Sequence, residues 1–111
     1  MPRDHRVYLE HILESIEAIE NYARGQTRET FLQSLKEQDA VIRRFEIIGE
    51  AVKNLPEEFK NAYTDIPWRK IAGMRDILVH EYFVVDVPAV WDTMQDDVPV
   101  LKEQIKKLMN V

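Results

Sequence analysis

Arg75-Asp76-Ile77-Leu78-Val79-His80-Glu81-Tyr82 holds most of the recognisable chemistry of the chain. Set on a helix that begins near Pro67, it extends an apolar stripe formed by Trp68, Ile71, Ala72, Leu78 and Val79, the spacing of an amphipathic helix. At about 100° per residue, Arg75 falls in the middle of that stripe. A guanidinium keeps its charge and is costly to bury alone. Two uses are open to it: an ion pair with an acid on a neighbouring helix, or the binding of an anion. His80, the natural general acid–base near neutrality, stands at the end of the same stretch, and Tyr82 follows it. Positions five apart on an unbroken helix diverge by roughly 140°. Arg75 and His80 can therefore share a site in two simple ways. Either the helix ends near Val79 and the chain turns His80 back, or a second subunit brings its own copies alongside.

Upstream, residues 35–54 predict a long helix whose inner face carries Val41, Phe45, Ile48 and Val52, with Leu55 just beyond. Gly49 inside it costs about 1 kcal/mol relative to Ala, so another helix is expected to cross closely there. Glu46 and Glu50 are the candidate partners for Arg75, and the pattern does not choose between them. Arg43 and Arg44 read as surface or paired arginines. A first helix, capped by Asp4 and running to about Arg24, buries Leu9, Ile12, Leu13, Ile16, Ile19 and Ala23 and turns Glu10, Glu14, Glu17 and Glu20 outward. His5 and His11 fall on exposed positions. Thr27 or Thr30 opens a short turn carrying Phe31, Leu32 and Leu35.

Pro56 stops the long helix. Glu57 to Tyr63 predicts a short amphipathic turn with Phe59 and Tyr63 inward, and Pro67 suits a first helical position. Gly73, Ile77 and His80 make a second face on the central helix, which suggests a partner subunit. Asp86 caps a last helix with Pro88 in its first turn and Trp91, Met94, Val98, Leu101, Ile105 and Leu108 as its seam. Pro99 removes one backbone bond from it and predicts a kink.

At 111 residues the chain suits one domain, 1–111, built as an all-α antiparallel bundle of four or five helices. An apolar share of 45% is that of a globular protein. With no cysteine there is no disulfide and no thiolate metal site. No run approaches the roughly 18 apolar residues of a membrane span, and the charged N-terminus does not read as a leader. A soluble, cytoplasmic protein is expected. The net charge of −5 argues against a nucleic-acid coat, yet it allows an enzyme whose positive charge is confined to one groove. Gly-rich phosphate loops, His-Glu-x-x-His and nucleophile elbows are absent from the sequence, so no cofactor is expected.

The pattern Arg75-x4-His80-x-Tyr82, with polar Asp76 directly after the arginine, resembles the signature of HEPN domains, in particular the HepT-like ribonuclease toxins of HepT–MntA toxin–antitoxin pairs. The likeness runs through Ile66-Pro67-Trp68-Arg69-Lys70-Ile71-Ala72-Gly73-Met74 and on to Phe83. It includes Asp39 to Arg44, Ile48 to Ala51, and Arg6 to Leu13. It implies a homodimer whose two motifs face each other across a cleft. It also implies a metal-independent endoribonuclease acting on cellular RNA (tRNA or mRNA), with Arg75 and His80 catalytic and Asp76 supporting. Tyr82 would receive AMP from an MntA-like minimal nucleotidyltransferase antitoxin, which silences the toxin. Two other readings stay open: a non-catalytic HEPN module that binds a nucleotide or docks such a transferase, and a helical adaptor with no nucleotide connection.

Overall fold

Three long helices frame the molecule. In the computed structural model, α1 spans Arg3–Ala23, α3 spans Leu35–Asn54 and α7 spans Val87–Met109. Their apolar stripes close on one another: Leu9, Ile12, Ile16 and Ile19 from α1, Val41, Phe45, Ile48 and Val52 from α3, and Val90, Met94, Val98, Leu101 and Ile105 from α7 are all buried. Each such side chain stabilises the fold by about 1.5–3 kcal/mol as it leaves water. The description covers residues 3–80 and 84–110; Tyr82, the expected modification site, lies outside the described residues, as do the side chains of Asp4, Ile77 and His80.

Between α1 and α3 lies α2, Arg28–Leu32, opened by a reciprocal cap. The Thr30 amide donates to Thr27 Oγ1 at 3.2 Å, and the Thr27 amide donates to Thr30 Oγ1 at 2.8 Å. Both threonines singled out by the sequence thus share one cap. Gln38, buried on α3, donates from Nε2 to the carbonyls of Phe31 at 2.9 Å and Leu32 at 3.2 Å. It thereby satisfies the open end of α2. Phe31 is buried and its ring meets Trp91 at 5.4 Å.

Several expectations are corrected here. Leu35 begins α3 and is 69% exposed, so it belongs to neither the α2 turn nor the core. α1 starts at Arg3, one residue ahead of the expected Asp4 cap. His5 is half-buried, its ring 4.9 Å from that of Phe59. Tyr63 lies on the surface, stacking its ring 5.1 Å from the outer side of Phe59 instead of entering the core. Its phenol keeps water at no packing cost there. The expected disturbance at Pro99 does not end α7, which runs through that exposed proline as one helix.

The central helix is not continuous. α5, Trp68–Ala72, gives way at Gly73 to α6, Met74–Leu78, with Pro67 at the cap position ahead of α5 instead of inside it. Gly73 takes φ −97° and ψ 7°, outside the helical region. Its carbonyl accepts from the Asp76 amide three residues on, at 3.1 Å. The short α4, Glu57–Asn61, is fastened beneath α5: Trp68 Nε1 donates to the carbonyls of Lys60 at 3.1 Å and Tyr63 at 3.0 Å. After Leu78 the backbone becomes extended. β1, Val79–His80, pairs antiparallel with β2, Val84–Val85, in the register Val79 to Val85 and His80 to Val84. The Ala89 amide then donates to Asp86 Oδ1 at 3.2 Å, the expected cap of α7. Among the described residues no helix is long and apolar enough to cross a membrane.

Candidate functional site

The site begins at a glycine. A Cβ on Gly49 would stand 3.0 Å from the Ala72 carbonyl oxygen, so only glycine lets α3 and the end of α5 approach this closely. That crossing fixes where α6 starts, and hence where Arg75 leaves the backbone in its first turn. The sequence anticipated the close crossing at Gly49; the break three residues before Asp76 it did not.

Arg75 projects over α3 and is half-buried. Its Nε lies 3.9 Å from Glu46 Oε2, and its Nη1 lies 3.7 Å from Asp76 Oδ1. Both separations are those of ion pairs, too long for hydrogen bonds. Nε itself is shielded from water and, among the described residues, has no hydrogen-bond partner. Glu46 is thus the partner that the pattern left unchosen, while Glu50 sits 3.7 Å from Lys53. The arginine opens into a groove of about 270 Å³ walled by Arg43, Glu46, Gly49, Glu50, Lys53 and Asp76, among others. A planar fork of donors that is 37% exposed at this groove can donate to an anionic oxygen entering it.

Arg43 is the residue that sequence reasoning passed over. It lies on the same wall as Glu46, Glu50 and Lys53, and positions 43, 46, 50 and 53 recur at helical spacing along α3. This polar stripe was available in the sequence, but only the crossing at Gly49 shows that it faces Arg75. Asp76, exposed beside Arg75, adds a carboxylate to the rim.

At His80 only the backbone is described, as part of β1. The helix ends at Leu78, and Val79 leaves it at φ −114° and ψ 108°. The helix thus stops short of the histidine. The His80 side chain and Tyr82 are outside the described residues. The remaining histidines are elsewhere: His5 rests on Phe59, and His11 stands 6.5 Å from the ring of Tyr8 in a groove that shares Arg43, Glu46 and Glu50 with the arginine site. Among the described residues no three His, Asp or Glu side chains converge as metal ligands.

Residues 12–108 match the family described as Ribonuclease HepT-like. The chain belongs to this family. It is 52% identical over 108 residues to a Thermococcus cleftensis protein named probable ribonuclease HepT, covering 97% of this chain and 98% of that one. A Caldanaerobacter subterraneus protein named as a putative RNase is 44% identical over 104 residues, 94% of this chain and 93% of its own. A Methanocaldococcus jannaschii protein named gamma-glutamylcyclotransferase and putative RNase is 54% identical over 109 residues, 98% of this chain. This chain spans only about half of that protein, 49% of its length. No solved structure matches the chain. The all-α bundle and its HepT-like membership agree with the expectation drawn from Arg75-x4-His80-x-Tyr82, and they support a ribonuclease.

Proposed function

We propose that the chain is a metal-independent endoribonuclease of the toxin kind, with Arg75 and His80 as its catalytic residues. The observation that carries the reading is the Arg75 guanidinium: half-buried at the rim of a groove, with only long ion pairs to Glu46 and Asp76 among the described residues, in a HepT-like ribonuclease. RNA supplies its own nucleophile, so the enzyme needs only proton transfer and charge stabilisation. The 2′-oxygen attacks phosphorus and loses its proton to a base, while the bond to the 5′-oxygen breaks and that oxygen takes a proton. The products are a 2′,3′-cyclic phosphate and a free 5′-hydroxyl. His80 serves one or both proton transfers. Arg75 holds the scissile phosphate and stabilises the charge growing on its oxygens, and Asp76 orients that guanidinium.

In this reading the chain acts as a homodimer with the two motifs facing one cleft. A partner nucleotidyltransferase silences it by moving AMP from ATP to the Tyr82 phenol, with release of pyrophosphate. The added phosphodiester and nucleotide would repel and block an RNA backbone. Co-expression tests this directly. Wild-type chain should arrest growth alone and be rescued by the transferase, whereas Tyr82→Phe should arrest growth and escape rescue. Addition of adenylyl mass to Tyr82→Phe, or to Tyr8, Tyr22 or Tyr63, would overturn the assignment.

A second reading is favoured by the Glu46 interaction and the net charge of −5: Arg75 is then a structural ion pair in a non-catalytic module that docks the transferase. It predicts no RNA cleavage by the wild-type chain and a loss of stability in Arg75→Ala.

A further inference from the structure

The surface next to the Arg75 groove holds positive charge that the fold does not use. Arg69 and Lys70 are exposed on α5, and among the described residues neither forms an ion pair. Together with Glu57, Lys60, Asn61 and Thr64 they line a groove of about 500 Å³. Ala72 lines both this groove and the Arg75 groove, so the two lie beside each other at the end of α5. Lys60 is tied down: its Nζ donates to the Val52 carbonyl at 3.2 Å and lies 3.2 Å from Glu57 Oε1. That pairing also occupies Glu57, the single carboxylate among this groove's lining residues. What remains is two uncompensated cations beside the polar side chains Asn61 and Thr64, in a chain of net charge −5. Trp68, in the wall of this groove, is held by its one indole N–H, shared between the Lys60 and Tyr63 carbonyls.

We infer that Arg69 and Lys70 bind the phosphates of the RNA strand that adjoin the scissile one, guiding a single strand along α5 into the Arg75 groove and setting the length of RNA that the site accepts. This rests on the ribonuclease reading of Arg75. The backbone of RNA carries the repeating charge that two unpaired cations on one helix can follow, and such pairings position a strand without reading its sequence. They are positioning residues, and the proton transfers do not involve them.

Binding and cleavage separate the two readings. A single-stranded 2′-O-methyl oligoribonucleotide lacks the nucleophile and reports binding alone. R69Q/K70Q should bind it about tenfold more weakly at low salt, with the slope of log affinity against log salt reduced by about 0.7 for each phosphate that is no longer neutralised. R69K/K70R should bind within about twofold of wild type, since the charges remain. On cleavable oligoribonucleotide the KM of R69Q/K70Q should rise with little change in kcat. A dinucleoside monophosphate, whose one phosphate is the scissile one, should be affected far less. Undiminished oligomer binding with an unchanged salt slope would overturn the inference, as would equal effects on the oligomer and the dinucleoside monophosphate. If wild type binds oligomer through these residues yet cuts neither substrate, the strand path stands and the ribonuclease reading falls.

Discussion

From Leu35 to Asn54 the chain runs as one helix of 20 residues with its inner face buried; from Trp68 to His80 it breaks at Gly73, ends its helix at Leu78 and turns extended. The first region is held by its own periodic burial and would be a helix in many settings. The second is two helices of 5 residues each, too short to be stable alone, and its course depends on what the first region permits. α3 carries the glycine that α5 touches, the glutamate that meets Arg75, and the wall of the groove. Stability and chemistry are therefore divided between a frame and a short segment laid across it, and substitutions in the two regions should have different signatures.

The largest expected effect falls on the segment. Arg75→Ala and His80→Ala should each reduce RNA cleavage by about 10²–10⁴-fold, the range for removing a proton-transfer group or a charge-stabilising donor. For Arg75→Ala the loss of stability should stay within about 1 kcal/mol, since both its ion pairs are long and partly solvated. Circular dichroism and chemical denaturation beside the activity assay check both halves. A large loss of stability in Arg75→Ala would make the arginine part of the frame and break the division.

The frame predicts the converse. Ile16→Ala, at a fully buried position of α1, should lower stability by about 2–5 kcal/mol in a denaturant titration, while cleavage per folded molecule stays near that of wild type. Gly49→Val is the variant that should join the two regions. Its side chain would meet the Ala72 carbonyl, already 3.0 Å from the position of a first carbon, and overpacking of this kind costs about 1–3 kcal/mol. Because α5 must shift to accommodate it, cleavage should fall with stability. A Gly49→Val variant with wild-type stability and activity would show that the crossing does not position Arg75.

The smallest effect belongs to an ion pair inside the frame. Lys102 donates to both carboxylate oxygens of Glu20, at 2.9 and 3.1 Å, joining α7 to α1. The hydrogen bond with Glu20 raises the Lys102 pKa above 10.5, against the opposing effect of desolvation. A raised lysine pKa stabilises the fold in full below 10.5, and that stabilisation fades as pH climbs through the folded value. Glu20→Gln should therefore lower Tm slightly at neutral pH, and the gap to wild type should close in strongly alkaline buffer, with no change in cleavage at any pH where both are folded. A gap that widens above pH 10.5 would have the sign wrong.

The frame was the legible part of the sequence. Leu35 and Asn54 bound α3 as its periodicity and Pro56 required, Asp86 caps α7, and Gly49 announced a close crossing. The segment was harder to read for a physical reason. Residues 67–79 fit one unbroken amphipathic stripe, and Gly73, at about 1 kcal/mol relative to Ala, weakens that stripe without specifying a break; the break lies beside the approach of Gly49 to Ala72, which is distant in sequence. The choice of Glu46 over Glu50 rests on the same crossing. β1 and β2, two residues each, are too short to carry a period. Gln38 reads as a polar helix residue, and its burial follows only from the open carbonyls of α2 that it serves. Arg75, Asp76 and His80 could be singled out from their resemblance to the Arg-x4-His pattern. Which of them the fold leaves unsatisfied could not.

The most direct test of the central claim, that the Arg75–His80 segment is the chemical centre of a metal-independent ribonuclease, is end-group analysis of a defined RNA. It would be incubated with wild type, Arg75→Ala or His80→Ala in excess chelator, each protein first shown to be folded. Wild type should release fragments ending in 2′,3′-cyclic phosphate with free 5′-hydroxyls, and both variants should leave the RNA intact. Cleavage by a folded variant at the wild-type rate, or its complete suppression in wild type by the chelator, would contradict that claim.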